Sequence, residues 1–237
     1  MIRTHDLDCG ALYASVRAEL VTLVRSVPET AQRRSVLASP AWSVLDVVAH
    51  VVGLAADLNR GRFPGGEVDP EAWTAAQVEA RRGRTIDELA REWDEEGPTF
   101  EDGMRTFGYE VGCHFLADLL AHRADVGAAV GRPGLEPGPA LTAGLDWYLD
   151  VAHLALVAAG RGGVEVSVDG EATVLGPAPV LASVDLDGFE AFRALGGRRS
   201  RAQLAALPWR GDPTAVLEAL SPYPLPAHDL VELVAPA

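Results

Sequence analysis

Acids and imidazoles recur at helical spacing in the N-terminal half of the chain, on stretches that are otherwise apolar. His50 lies in the run VLDVVAHVVGLAA, and Asp118 and His122 are four residues apart in the run HFLADLLAHRADV. Residues spaced by four share one face of an α-helix. Facing helices of a bundle build metal sites from such side chains. The pattern therefore predicts one ion bound by Asp118, His122 and, from a neighbouring helix, His50. Three nitrogen and oxygen ligands leave a coordination position open, which is typical of a catalytic metal.

Structural roles also account for several of these polar residues. Ser43 is a plausible helix N-cap, and Asp46 stands at the third position behind it, as in a capping box. Asp46 is therefore better explained as a helix-start residue than as a ligand. A single helical histidine is more often a hydrogen-bonded residue of the core or the surface than a ligand. Spacing alone therefore leaves the role of His50 open.

The elements that must position these residues are predicted to be helices. Apolar periodicity and end signals such as Gly and Pro indicate their bounds. The predicted helices cover residues 7–27, 43–60, 85–96, 108–130 and 139–159. The third of these is predicted to stop at Gly97-Pro98.

The sequence changes character after about residue 160. The run VEVSVDGEATVL alternates in polarity around Asp169-Gly170, which predicts a β-hairpin. Further strands are predicted at 179–186 and 229–234, and short helices at 187–195, 200–206 and 213–220. We therefore predict an α+β protein with a helix bundle over residues 1–160 and a small α+β domain over residues 161–237.

Composition narrows the classes of function. The net charge is −14, from 34 acids and 20 bases, so the basic face that a nucleic acid or an anionic membrane requires is not expected. All the bases are arginine, so no lysine Schiff base can form. No secretory signal or membrane-spanning run is apparent. Cys9 and Cys113 are too few for a disulfide framework. These features lead us to expect a cytoplasmic protein.

Three segments resemble the mycothiol-dependent maleylpyruvate isomerase family, relatives of the DinB-like thiol transferases. PAWSVLDVVAHVVG is similar to its signature W-[ST]-v-x-D-v-x-x-H. FLADLLAHRADVGAAVGRP is similar to a second signature, an acid four residues before H-R-x-D. Residues 168–213 resemble the small C-terminal domain, with "GR" after an apolar helix and a following W-x-G-D. The resemblance extends over most of the chain.

The resemblance implies a DinB-like antiparallel four-helix bundle followed by a small α+β domain. It also implies a divalent metal, usually zinc, bound by His, Glu and His, which are here His50, Asp118 and His122. The chain departs from the family at Asp118, whose side chain is one methylene shorter than the expected glutamate. If Asp118 fails to reach the ion, Asp150 and His114 are the alternative ligands.

The activity implied by the resemblance is cis–trans isomerisation dependent on mycothiol or a similar small thiol. A metal-bound thiolate would add to the activated double bond of a small unsaturated acid and leave after rotation. Arginine binds carboxylates through paired hydrogen bonds. Arg198, which matches the family's "GR", and Arg123 are the candidates for that catalytic role. We expect a monomer or a homodimer.

Two other functions stay open at this point. The same site would make the protein a mycothiol S-transferase if the thiol stayed attached to an electrophilic substrate. The aspartate in place of glutamate instead suggests a non-enzymatic metal-binding or regulatory protein. A di-iron bundle needs two acid-x-x-His pairs, and Asp150 with His153 supplies only one, so we set that class aside.

Overall fold

Helices dominate the first 159 residues of the computed structural model, which describes residues 1–64 and 69–232. The helices are α1 (Cys9–Arg25), α2 (Glu29–Gln32), α3 (Val44–Asn59), α4 (Pro70–Glu79), α5 (Ile86–Phe107), α6 (Tyr109–Ala129), α7 (Pro139–Ala159), α8 (Gly188–Leu195) and α9 (Arg201–Ala205). The strands are β1 (Ser35–Val36), β2 (Ser39–Ser43), β3 (Gly163–Val168), β4 (Glu171–Leu175), β5 (Val180–Leu186) and β6 (Arg210–Gly211). The predicted α+β fold class, with a helical N-terminal domain, is confirmed.

The predicted start of α3 is confirmed by its cap. The Ser43 hydroxyl accepts a hydrogen bond from the Asp46 backbone N–H at 3.2 Å, and the Asp46 carboxylate accepts one from the Ser43 N–H at 2.8 Å. The two bonds satisfy donors that a helix start otherwise leaves unpaired. The cap therefore fixes where α3 begins, nearly two turns before His50.

Helix α5 does not end where the sequence predicts. It continues through Gly97 and Pro98 to Phe107. Proline in a helix interior costs about 3 kcal/mol. Here the continuation buries Phe100 and Met104, and burying such side chains contributes about 1.5–3 kcal/mol each. The prediction of a stop was wrong because apolar burial beyond the proline outweighs the lost hydrogen bond.

Replacing Pro98 by alanine is expected to stabilise the protein by about 1–2 kcal/mol. Alanine restores the N–H that can bond to the preceding turn, and this gain exceeds the roughly 1 kcal/mol lost because the unfolded chain becomes freer. Urea unfolding followed by circular dichroism measures the change. Pro139→Ala is the matched control, because Pro139 is in the first turn of α7, where no N–H is missed. A destabilised Pro98→Ala variant would contradict this account of α5.

The C-terminal part contains a four-stranded sheet in the order β4-β3-β5-β6. The predicted hairpin is confirmed, since β3 and β4 pair antiparallel with Val168 opposite Glu171. Its turn residues Asp169 and Gly170 have φ of 49° and 88°, as the favoured two-residue hairpin turn requires. β5 lies on the other side of β3 and runs parallel to it.

The helix predicted at 213–220 and the strand predicted at 229–234 were wrong over the residues that the structure describes. Residues 213–220 form only a single turn of 3₁₀ helix at Leu217–Ala219. No strand forms over 229–232, and residues 233–234 lie outside the described residues. The Pro-rich run SPYPLPAHD precedes this segment, and proline lacks the N–H that a strand ladder needs.

Sequence patterns did not predict α4 or the β1–β2 pair. α4 is short and mixed in polarity, and Gln77 and Val78 are its buried residues. β1 and β2 pair through only two registered positions. Segments this short carry too few periods for a pattern to stand out.

Contacts divide the chain into two compact units. Unit 1 comprises Met1–Leu7, Leu116–Ala121 and Leu135–Val231, whereas unit 2 is formed chiefly by Asp8–Phe115 and His122–Gly134. The units are not continuous in sequence, so the boundary predicted at residue 160 stays a prediction. Among the described residues, no helix is long and apolar enough to span a membrane.

Candidate metal centre

His50 is buried within unit 2, with 5% of its surface exposed. It lies in the first half of α3 on a turn surrounded by valines. The ring of Trp42, from β2, is 5.2 Å from the His50 ring, centroid to centroid. The His50 Nδ1 atom is 2.9 Å from Oε1 of Gln77, on α4. These neighbours hold the imidazole in one orientation.

His122 meets His50 inside unit 2. The two rings are 5.0 Å apart with an interplanar angle of 77°, so one presents its edge to the other. His122 is also buried, with 7% exposed, and Asp118 lies one turn before it on α6. One ligand atom from each of His50, Asp118 and His122 lies within 4.8 Å of the other two. The structure therefore brings together the three residues that the sequence predicted as ligands.

The chemistry of this donor set fits a divalent ion. Imidazole nitrogen and carboxylate oxygen suit zinc as well as iron, nickel, cobalt or manganese. Bonds of about 2 Å to one ion hold its ligand atoms roughly 3–4 Å apart. The three ligand atoms observed here lie within 4.8 Å of one another. Two neutral imidazoles and one carboxylate also leave a net positive charge on a bound dication, which attracts an anionic fourth ligand.

Asp118 has further polar neighbours within unit 1. Partial burial raises the pKa of the Tyr223 phenol, the negative charge of Asp118 raises this pKa further, and the positive charge of Arg198 lowers it. Tyr223 also packs against Gly197, where an added Cβ would stand 3.1 Å from the Tyr223 Cβ. The carboxylate of Asp118, the phenol and a guanidinium are therefore electrostatic neighbours.

The arginine candidates have different surroundings. Arg123 donates a hydrogen bond from Nη1 to the carbonyl of Gly134 at 2.7 Å, an interaction that holds the segment following α6. Arg198 is half-buried and donates to the carbonyl of Gly196 at 3.0 Å. Its neighbour Arg199 forms a bidentate salt bridge with Glu190. The contacts of Arg123 indicate a structural role, whereas Arg198 lies in the surroundings of Tyr223 and Asp118.

The acids of α7 form hydrogen bonds and ion pairs with residues near the N-terminus. Asp146 is fully buried and accepts hydrogen bonds from the backbone N–H of His5 at 3.1 Å and its ring Nδ1 at 2.8 Å. Arg3 Nε is 3.5 Å from the same carboxylate. Asp150 accepts from the Ile2 N–H at 2.9 Å. Asp146 and Asp150 thus bind residues 2–5, and Asp150 is not a member of the ligand group found among the described residues.

The remaining candidates from the sequence have local contacts. His114 stacks on Phe115 with ring centroids 5.1 Å apart, and it is not a member of the ligand group found among the described residues. Cys9 and Cys113 are both buried and are not disulfide-bonded. Cys9 packs against Gly112, where an added Cβ would be 2.7 Å from the Cys9 Cβ.

Gln77 is the site residue that sequence reasoning missed. It contacts His50 directly, but it lies on α4, which carries no clear periodic signal. A glutamine among alanines has no spacing relation to residues 27 positions earlier. Only the packing of α4 against α3 identifies it.

Comparison with known proteins gives one family match. Residues 13–133 match the family model described as the mycothiol maleylpyruvate isomerase N-terminal domain. This segment includes His50, Asp118 and His122. Among curated proteins, no sequence matches the chain.

Two solved structures share the fold. The mycothiol-dependent maleylpyruvate isomerase has a TM-score of 0.57 and 15% identity, covering 82% of this chain and 91% of that one. A histidine-to-alanine mutant of the mycothiol-dependent maleylpyruvate isomerase has a TM-score of 0.56 and 14% identity, covering 81% and 90%. The similarity extends beyond residue 133, so it includes much of the C-terminal part.

Proposed function

This chain belongs to the mycothiol maleylpyruvate isomerase family through its N-terminal domain, and from that premise we propose that it is a metal-dependent isomerase. Its co-substrate is mycothiol or a similar small thiol, and its substrate is a small unsaturated acid. The observation that supports this best is the convergence of His50, Asp118 and His122 within 4.8 Å.

The ion is held by these three residues. When bound, it supplies a positive charge that stabilises the thiolate form of the thiol near neutral pH. Zinc is the ion that best combines imidazole and carboxylate ligands with an affinity for sulfur. The protein then needs no cysteine of its own at the site, which agrees with the packing role of Cys9 against Gly112.

The protein's residues bind and orient the reactants. The buried imidazoles of His50 and His122 offer nitrogen donors in fixed positions, which limits the rearrangement needed on binding. Arg198 binds a carboxylate of the substrate. The thiol sulfur adds to the double bond, rotation about the resulting single bond follows, and the same carbon–sulfur bond then breaks. Thiol and isomerised acid are released, so atoms and charge balance.

The direct test is turnover with a thiol and a panel of cis-unsaturated acids, with the zinc-loaded protein. We expect the trans acid to form only when thiol is present, with the thiol recovered unchanged by mass spectrometry. Accumulation of a stable thiol adduct would instead indicate an S-transferase. Absence of both products in the presence of bound metal would favour the non-enzymatic alternative.

Arg198→Ala is expected to raise the KM for the unsaturated acid by about 10–100-fold, since a charge-assisted hydrogen bond contributes roughly 1.5–3 kcal/mol. The KM for the thiol should change little. Arg201→Ala is the matched control, because Arg201 is exposed on the same segment and its partner is Glu218. An unchanged KM for the acid in Arg198→Ala would contradict the carboxylate-binding role. Steady-state kinetics with each reactant varied in turn make the comparison.

A further inference from the structure

We propose that Gln77 is a positioning residue for the metal centre, acting through His50. Its side-chain amide holds the His50 imidazole as the Nδ1–H tautomer, so that Nε2 is the nitrogen that binds the ion. The inference rests on the proposed function to the extent that it assumes a metal at His50, Asp118 and His122. All the contacts that carry it lie within unit 2.

The contact between the two side chains is short and buried. Gln77 Oε1 is 2.9 Å from His50 Nδ1. The exposed fractions of His50 and Gln77 are 5% and 2%. A hydrogen bond in such a place does not exchange readily with water, and breaking it leaves a buried polar atom without a partner. The bond is therefore strong enough to select one ring state.

Asp57 determines which way round the Gln77 amide lies. Gln77 Nε2 is 3.1 Å from Asp57 Oδ2. An ionised carboxylate can only accept hydrogen bonds, so the NH₂ group of the amide must face it. The carbonyl oxygen of Gln77 consequently faces His50. Because that oxygen can only accept, the His50 Nδ1 atom must carry the proton.

Arg62 anchors the far end of this chain of bonds. Its Nε and Nη2 atoms donate to Asp57 Oδ1 at 2.9 and 2.6 Å. The hydrogen bonds thus connect Arg62, which can only donate, through Asp57 and Gln77 to the His50 imidazole. The donor and the acceptor are determined in each of these bonds. Metal-binding histidines commonly bond their second nitrogen in this way, which sets the tautomer and the ring orientation.

Gly53 allows α4 to approach α3 at this point. A Cβ on Gly53 would stand 2.5 Å from the Cβ of Gln77, a distance that atoms do not tolerate. Gly53 lies one turn after His50 on α3. The close packing of α4 on α3 therefore places the Gln77 amide directly against the His50 ring.

The first measurement reads the tautomer of His50 in metal-free protein. Long-range ¹H–¹⁵N NMR distinguishes a protonated from an unprotonated ring nitrogen. The wild type is expected to show protonated Nδ1 and unprotonated Nε2 above the pH at which the ring titrates. Gln77→Met removes the acceptor and should yield a mixture of tautomers.

The second measurement is zinc affinity by competition with a chelating dye. Gln77→Met is expected to weaken binding by about 10–100-fold, as loss of such outer partners does. In the double variant Gln77→Glu, Asp57→Asn, the new carboxylate accepts from His50 Nδ1 and the new amide donates to that carboxylate. This variant should therefore restore both the tautomer and most of the zinc affinity. Such rescue is not expected of a residue that only fills space.

Gln32→Met is the matched control. Gln32 is another partly buried glutamine of unit 2, and its Nε2 donates to the carbonyls of Val24 and Val27. Its loss should lower stability while leaving the His50 tautomer and the zinc affinity unchanged.

The two hypotheses fail in different ways. An unchanged tautomer and an unchanged zinc affinity in Gln77→Met would overturn the role of Gln77 and leave the metal centre intact. A Gln77-dependent tautomer in a wild-type protein that binds no zinc would support the control of His50 by Gln77 and contradict the proposed function.

Discussion

Replacing His50 and His122 together by alanine is expected to lower zinc affinity by more than 100-fold and to remove thiol-dependent turnover. Loss of an outer partner of a ligand alone costs about 10–100-fold, and this double variant removes two of the three ligands themselves. Asp118 alone cannot hold an ion against water. Metal analysis after zinc loading and desalting, together with dye competition, measures the effect.

A matched control removes two imidazoles elsewhere. His153 accepts a hydrogen bond from the Gly176 N–H at 3.2 Å, and His228 is exposed. The variant His153→Ala, His228→Ala should bind zinc like the wild type. Equal metal content in both double variants and the wild type would show that the ion, if present, binds elsewhere. Circular dichroism verifies that each variant is folded.

Replacing Asp146 by alanine is expected to lower the free energy of unfolding by about 3 kcal/mol. Removing one partner of a buried ion pair typically costs 3–5 kcal/mol because the remaining groups keep their desolvation cost. We expect the low end, since the Arg3 side chain is 12% exposed and the His5 side chain 35%. Urea unfolding measures the change, and zinc affinity should stay at the wild-type value.

Asp185→Ala provides the comparison for this effect. The ion pair of Asp185 with Arg210 is largely exposed on both sides, and such pairs contribute roughly 0–1 kcal/mol. If Asp146→Ala instead lost zinc and kept its stability, α7 would supply a ligand. The assignment of the α7 acids to the N-terminus would then be wrong.

The parts of the fold that were predictable are those with strong local signals. The long helices other than α5 begin and end within two residues of their predicted bounds. The Ser43–Asp46 cap and the Asp169-Gly170 turn depend on residues within a few positions of one another. Such signals are complete in a short stretch of chain, because the hydrogen bonds that define them join near neighbours.

The ligand group was predictable in outline. Spacing placed Asp118 and His122 on one face of α6 and offered His50 as a third ligand from a neighbouring helix. The resemblance then supported all three. The structure brings all three within 4.8 Å, and their role as ligands remains a proposal. The sequence kept Asp150 as an alternative ligand, whereas the structure pairs it with the Ile2 N–H near the N-terminus.

The chain's own sequence determined the helix periodicity, the caps, the hairpin turn and the residue types available for a metal. Tertiary structure alone decided which polar residues meet. Asp146 binds His5, 141 positions away, and His50 contacts Gln77, 27 positions away. It also decided that α5 continues through Pro98. The physical reason is the same in each case: periodicity and caps depend on neighbours along the chain, whereas burial and hydrogen-bond partners depend on the packing of separate elements.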